Sequence, residues 1–116
     1  MTFEGQIVLF RFPQTDQTAG KLRPALVLRK LPGRHNDWLI CMISSNLDQE
    51  VPELYEVITP DDLDFKESGL KVPSLIRIGR IAVVDGDILL LGKLGQIDAQ
   101  RLLRIRYKLS CWIQGT

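Results

Sequence analysis

Residues 23–45 read RPALVLRKLPGRHNDWLICMISS, and this stretch decides the fold. Residues 23–31 are aliphatic and open with Arg23-Pro24, a proline position that a strand tolerates at its start. Pro32-Gly33 then signals a turn, and the polar residues 33–37 that follow read as its loop, with His35 exposed in it. Residues 38–45 form a near-continuous apolar run, the pattern of a central strand covered on both faces. Two such runs joined by a short Pro-Gly turn read as antiparallel neighbours.

On the N-terminal side, residues 6–12 (QIVLFRF) alternate. Val8, Phe10 and Phe12 fall on one face and Ile7, Leu9 and Arg11 on the other, which predicts a strand stopped by Pro13. Residues 13–22 form a long polar loop, a kind of connection that is often functional. On the C-terminal side, a polar excursion over 46–53 leads to a short strand over 54–59. Pro60 follows, and Asp61-Asp62-Leu63 starts a helical turn. Gly69-Leu70 and Pro73 punctuate the approach to a long strand over 74–85. Gly79 inside it predicts a bulge or a close backbone approach. Asp85-Gly86 reads as a hairpin turn into a last strand over 87–94. Asp98 caps a helix over 99–113, whose stripe Leu102, Ile105, Leu109 and Trp112 predicts a core-packing face with Arg101, Arg104 and Lys108 mostly off it, in solvent. The expected class is mainly β (β-rich α+β): a small curled antiparallel sheet with a C-terminal helix, as one domain over 1–116.

Composition narrows the function classes. Hydrophobic residues are 45% and charged residues 25% of the 116, the mix of a globular protein and not of a disordered one. No apolar run approaches the roughly 18 residues of a membrane span. Residues 1–5 include Glu4 and no basic cluster, so no secretory signal is read there and a cytoplasmic location is expected. Cys41 and Cys111 are the two cysteines, and one pair in such a chain is weak evidence for a disulfide. A single histidine and no CxxC argue against a zinc site. The net charge is +1, yet it is unevenly spread. Residues 1–34 hold six basic and two acidic residues, 35–64 hold eight acidic and no basic, and 65–116 hold nine basic and four acidic. Such blocks fit separate positive and negative faces, and equally a mixed, solvated surface.

No nucleotide-binding, zinc-protease or serine-hydrolase motif occurs. The constellation that carries chemistry is Lys21-Leu22-Arg23-Pro24 with Ser44-Ser45. Antiparallel pairing brings the start of the first strand beside the end of the second, so Arg23 can reach Ser44 and Ser45, and Arg77 and Arg80 of a later strand can join them. A guanidinium offers a fixed fork of donors suited to a phosphodiester, and a serine hydroxyl can donate to the same group. The structural alternative is an Arg23 salt bridge and serines that cap strand-end backbone groups. Few carboxylates cluster, which argues against two-metal hydrolysis.

Gly5-Gln6-Ile7-Val8, Arg23-Pro24-Ala25-Leu26-Val27-Leu28 and Ile43-Ser44-Ser45, in that order, resemble the PemK/MazF family of toxin endoribonucleases. Gly69-Leu70 through Pro73-Ser74 to Arg77, and Leu94-Gly95-Gln96-Ile97 into the helix, are similar to its later blocks. The resemblance implies an SH3-like curled barrel, a homodimer, RNA cleavage without a metal or other cofactor, and an acidic antitoxin partner that occupies the RNA site. It implies that Arg23 contacts the scissile phosphate, that Ser44 stands for the family's threonine and positions the phosphate, and that Ser45 and Arg77 match family positions; Lys21, Pro24 and Arg80 of the constellation above are expected to bind substrate with them. Asp16, the acid of the first loop, is the candidate base. Gly79 and Gln6 stand where relatives carry acids, so the resemblance leaves the general base and acid unassigned. Two other readings share the fold: a CcdB-like gyrase poison acting through the Trp112-containing C-terminus, and an inactive module that binds a partner or nucleic acid.

Overall fold

The computed structural model describes residues 2–11 and 21–116. Six strands, β1 (Gln6–Arg11), β2 (Leu22–Lys30), β3 (Asp37–Ser44), β4 (Glu56–Ile58), β5 (Ser74–Asp85) and β6 (Lys93–Gln96), make one antiparallel sheet. A four-residue helix, α1 (Phe65–Ser68), follows β4, and α2 (Ala99–Gln114) closes the chain. The sheet order is β4-β5-β3-β2-β1-β6. The β2–β3 hairpin is therefore at the centre, and β3 is covered on both faces as its apolar run requires: Cys41 and Ile43 join one core cluster, Trp38 and Ile40 the other. Ile7 and Val8 of β1 divide between the same two clusters.

The first cluster lies under α2. Asp98 accepts the Arg101 amide at 2.7 Å as the N-cap, and Leu102, Ile105 and Leu109 face inward. Each buried aliphatic side chain of this kind contributes roughly 1.5–3 kcal/mol. Trp112 departs from the expected stripe: it is 52% exposed. Gly115, at φ +85°, then ends the helix in a left-handed cap.

Two further expectations are corrected. Residues 87–94 are not a strand returning along β5. Ile88–Leu91 form a 3-10 turn, and β6 then pairs with β1. An aliphatic run has no period that separates strand from turn; the non-local pairing with β1 decides it. Asp85-Gly86 accordingly ends β5 without making a hairpin. The helical turn expected at 61–63 starts later, at Phe65, because the Asp62 carboxylate accepts the Thr59 amide at 2.8 Å and holds that stretch as a turn. Gly79 behaves as expected. The β3–β5 register jumps from Cys41↔Ile81 to Met42↔Arg77, and a Cβ at Gly79 would stand 3.3 Å from the Tyr55 hydroxyl.

The sheet curls until α1 meets β6. Gly69 and Gly95 make this seam: a Cβ on Gly69 would collide with the Leu94 carbonyl oxygen, and one on Gly95 with the Glu67 carbonyl oxygen. Gly69 also needs its φ of +76°, which only glycine adopts at little cost.

A candidate phosphate-binding cleft at the strand ends

β2 and β3 pair with Ala25 opposite Met42 and Leu26 opposite Cys41. Continued two residues past its last pair, that register brings Arg23 toward Ser44, which itself pairs with Leu75 at the N-terminal end of β5. A cleft of about 310 Å³ opens here, lined by Arg23, Pro24, Ser44 and Ser45 together with residues 69–72. Arg23 is half-buried and makes no ion pair with another described residue. Ser44 is 7% exposed, and its Oγ accepts the Asn46 amide at 3.0 Å. The capping role foreseen for the serine is thus present. It uses an acceptor lone pair, so the hydroxyl proton stays free to donate to an anion. Asn46 in turn accepts the Asp48 amide, which fixes the chain leaving β3.

The other expected site residues fall as follows. Pro24 lines the cleft opposite Leu9 of β1, and Ser45 is exposed on its rim. Lys21 is exposed one residue before the cleft wall. Asp16 lies outside the described residues. Arg77 and Arg80 do not join the cleft. Arg77 stands opposite Met42, with Nη1 4.0 Å from the thioether sulfur and its guanidinium carbon 5.7 Å from the Tyr55 ring centre, and its Nε is enclosed without a hydrogen-bond partner among the described residues. Arg80 is exposed on the bulged part of β5. Gln6 is a structural residue: it is buried, and its Oε1 accepts the Phe3 amide at 3.3 Å.

A second, larger set of charges was not foreseen as a unit. Arg101 is 7% exposed. Its Nε and Nη2 bond the two Asp64 oxygens at 2.9 and 3.2 Å, and its Nη1 bonds Glu56 at 3.0 Å. Arg104 bonds Glu56 at 2.7 and 3.1 Å, and the Lys108 ammonium lies 3.3 Å from the same carboxylate. Burial pushes the Glu56 and Asp64 carboxyls up, but the bonds and charges from α2 outweigh it and hold both below the ordinary carboxylate range. On the other flank of α2, Arg106 donates to the Leu28 carbonyl at 2.9 and 2.7 Å and to Glu4. The expected solvated basic face is therefore corrected: Arg101, Arg104 and Lys108 neutralise acids of the 35–64 block. The only hint in the sequence was the opposite sign of the two blocks.

The remaining chemistry is limited. Cys41 is fully enclosed, and burial pushes its thiol up to about 12, so it is no nucleophile near neutral pH. Cys41 and Cys111 are both free thiols, and His35 is exposed in the β2–β3 turn. Among the described residues no three His, Cys, Asp or Glu side chains group as metal ligands, and no helix is long and apolar enough to cross a membrane.

The family described as PemK-like, MazF-like toxin of type II toxin-antitoxin system matches residues 3–113. Among solved structures, the fold is similar to the crystal structure of MazF (Form-I) from Deinococcus radiodurans, with a TM-score of 0.66 at 24% identity over 97% of this chain and 96% of that one. It is also similar to the MazE-MazF (Form-II) structure from the same organism, with a TM-score of 0.60 at 24% identity over 95% and 92% of the two chains. Comparison with curated proteins finds no match. At this identity the structural likeness speaks for the curled barrel and its terminal helix.

Proposed function

We propose that this chain, which belongs to the PemK-like, MazF-like toxins of type II toxin-antitoxin systems, cleaves single-stranded RNA without a metal ion. The observation that carries the reading is the meeting of Arg23 and Ser44 in one cleft, with the guanidinium unclaimed by any described carboxylate. In the reaction the ribose 2′-oxygen attacks the adjacent phosphorus. The O2′–P bond forms and the P–O5′ bond breaks. The proton lost from the 2′-hydroxyl is taken by a base, and the leaving 5′-oxygen gains one, leaving a 2′,3′-cyclic phosphate and a 5′-hydroxyl. Arg23 is the group for the charge that grows on the non-bridging oxygens, and the Ser44 hydroxyl orients the same phosphate. DNA lacks the attacking hydroxyl, so the activity is specific to RNA, and an unpaired strand lets its bases be splayed and read. Asp16 is the proposed base. Lys21, Pro24 and Ser45 at the rim, with Arg77 and Arg80 further along the sheet, are proposed substrate contacts.

The family membership also supports an acidic antitoxin as a partner, a homodimer and a cytoplasmic place of action; one solved structure similar to this chain is titled as a MazE-MazF structure. Purified protein in excess chelator, given a mixed-sequence RNA, is expected to yield fragments ending in a 2′,3′-cyclic phosphate, and Arg23→Ala is expected to lose them. Cleavage that survives Arg23→Ala, or that needs added metal, overturns the reading. The exposed Trp112 keeps one alternative in view, and trapping of a gyrase–DNA complex with no RNA cleavage would establish it.

A further inference from the structure

The lining of the cleft carries one basic residue besides Arg23, and it is Lys71. Nothing in the sequence marks it: it stands alone between Leu70 and Val72. Its position is nevertheless tightly built. Ser68 is fully buried, donates its hydroxyl to the Phe65 carbonyl and accepts the Leu70 amide at 3.1 Å. Gly69 turns the chain and bonds the Lys66 carbonyl at 3.3 Å, against the Leu94 backbone. Leu70 is 8% exposed and anchored in the core beneath α2. On the far side Ser74 is buried and donates to the Val72 carbonyl at 2.9 Å. Lys71 thus sits on a short exposed span clamped at both ends, so its backbone is ordered before any ligand arrives. It makes no ion pair with a described residue, although Glu67 lies four residues away, whereas the basic residues along α2 are joined to carboxylates.

We infer that Lys71 is a second phosphate contact of this cleft, holding the RNA backbone alongside Arg23. The inference rests on the ribonuclease reading above and adds to it a second basic residue that binds the strand. An ammonium is a compact point charge without the fork of a guanidinium, so it suits backbone attraction more than recognition of the reacting centre. Its loss is therefore expected in affinity and KM more than in kcat.

The test uses a labelled single-stranded RNA in which every 2′-hydroxyl is methylated, so that it binds and is not cut. Binding is measured across salt concentrations for the wild type, Lys71→Gln, Lys71→Arg and Arg23→Ala. Lys71→Gln is expected to bind several-fold more weakly, with the slope of log affinity against log salt shallower by about 0.7, the value for one lost phosphate contact on a single strand. Lys71→Arg is expected to restore the slope, and thermal unfolding of both is expected to match the wild type. A Lys71→Gln protein with unchanged slope and affinity overturns the inference, as does a loss that Lys71→Arg fails to restore. If the wild type cuts ordinary RNA in chelator and Arg23→Ala does not, the ribonuclease reading stands whatever Lys71 does. If the wild type neither binds nor cuts, both fall.

Discussion

The basic residues of α2 and those at the strand-end cleft are the same residue types in opposite conditions. Arg101 is buried between Asp64 and Glu56, with Arg104 and Lys108 on the same Glu56 and Arg106 on Glu4. Arg23 and Lys71 share a cleft with no carboxylate partner among the described residues. Removing two opposite charges from water is costly and is offset only by close, well-bonded geometry, so the α2 cluster is committed to holding the helix on the sheet. A cation left unpaired at a concave rim stays available to an incoming anion. Charge counting along the chain does not separate the two sets; the position of the acids in three dimensions does.

The sharpest way to break this contrast is Arg101→Ala. It strands Asp64 and Glu56 in a buried place and is expected to cost about 3–5 kcal/mol of stability, read by urea unfolding. The fraction that remains folded should bind RNA as the wild type does. Arg23→Ala is expected to do the reverse. Cleavage should fall by about 10²–10³-fold, as when one preorganised donor to a developing oxyanion is lost, while the urea midpoint hardly moves. If Arg101→Ala proved harmless to stability, or Arg23→Ala unfolded the chain, the division of roles would be wrong.

Acid provides the next test. Because Glu56 and Asp64 sit below their ordinary carboxyl values when folded, the stability they contribute is whole above the unfolded value. It drains away as pH falls toward and through the lower folded values. Urea midpoints measured downward from pH 6 should decline over that acid range, and Glu56→Gln should flatten the decline. The smallest effect is expected for Arg29→Ala. Arg29 lies 3.4 Å from Glu4 but its side chain is 67% exposed, and such surface pairs contribute about 0–1 kcal/mol. A larger loss would mean that the Glu4 flank belongs with the buried cluster.

Much of this was legible in the residues. The strand over 74–85 has the bounds that its pattern predicts, and the central hairpin follows from two apolar runs around Pro32-Gly33. That hairpin alone brings Arg23 to Ser44, so the heart of the candidate site could be read from local pairing. The rest depends on distant partners. Arg101 meets Asp64 and Glu56 across 37 and 45 positions of sequence, and no local period signals such a bond. The strand β6 finds β1 from the other end of the chain, so Ile88–Leu91 reads as strand until that pairing is seen. Lys71 owes its place to the seam beneath it, which involves α1 and β6 together.

That seam has a consequence for other chains of this architecture. Gly69 and Gly95 allow two stretches of main chain to touch with nothing between them. The contact ties the segment just before Lys71 to β6. A related sequence that carries larger residues at both places must hold these two stretches of main chain further apart. This pair of positions therefore serves as a mark, readable without coordinates, of how tightly the last strand is joined to the short helix in such a chain.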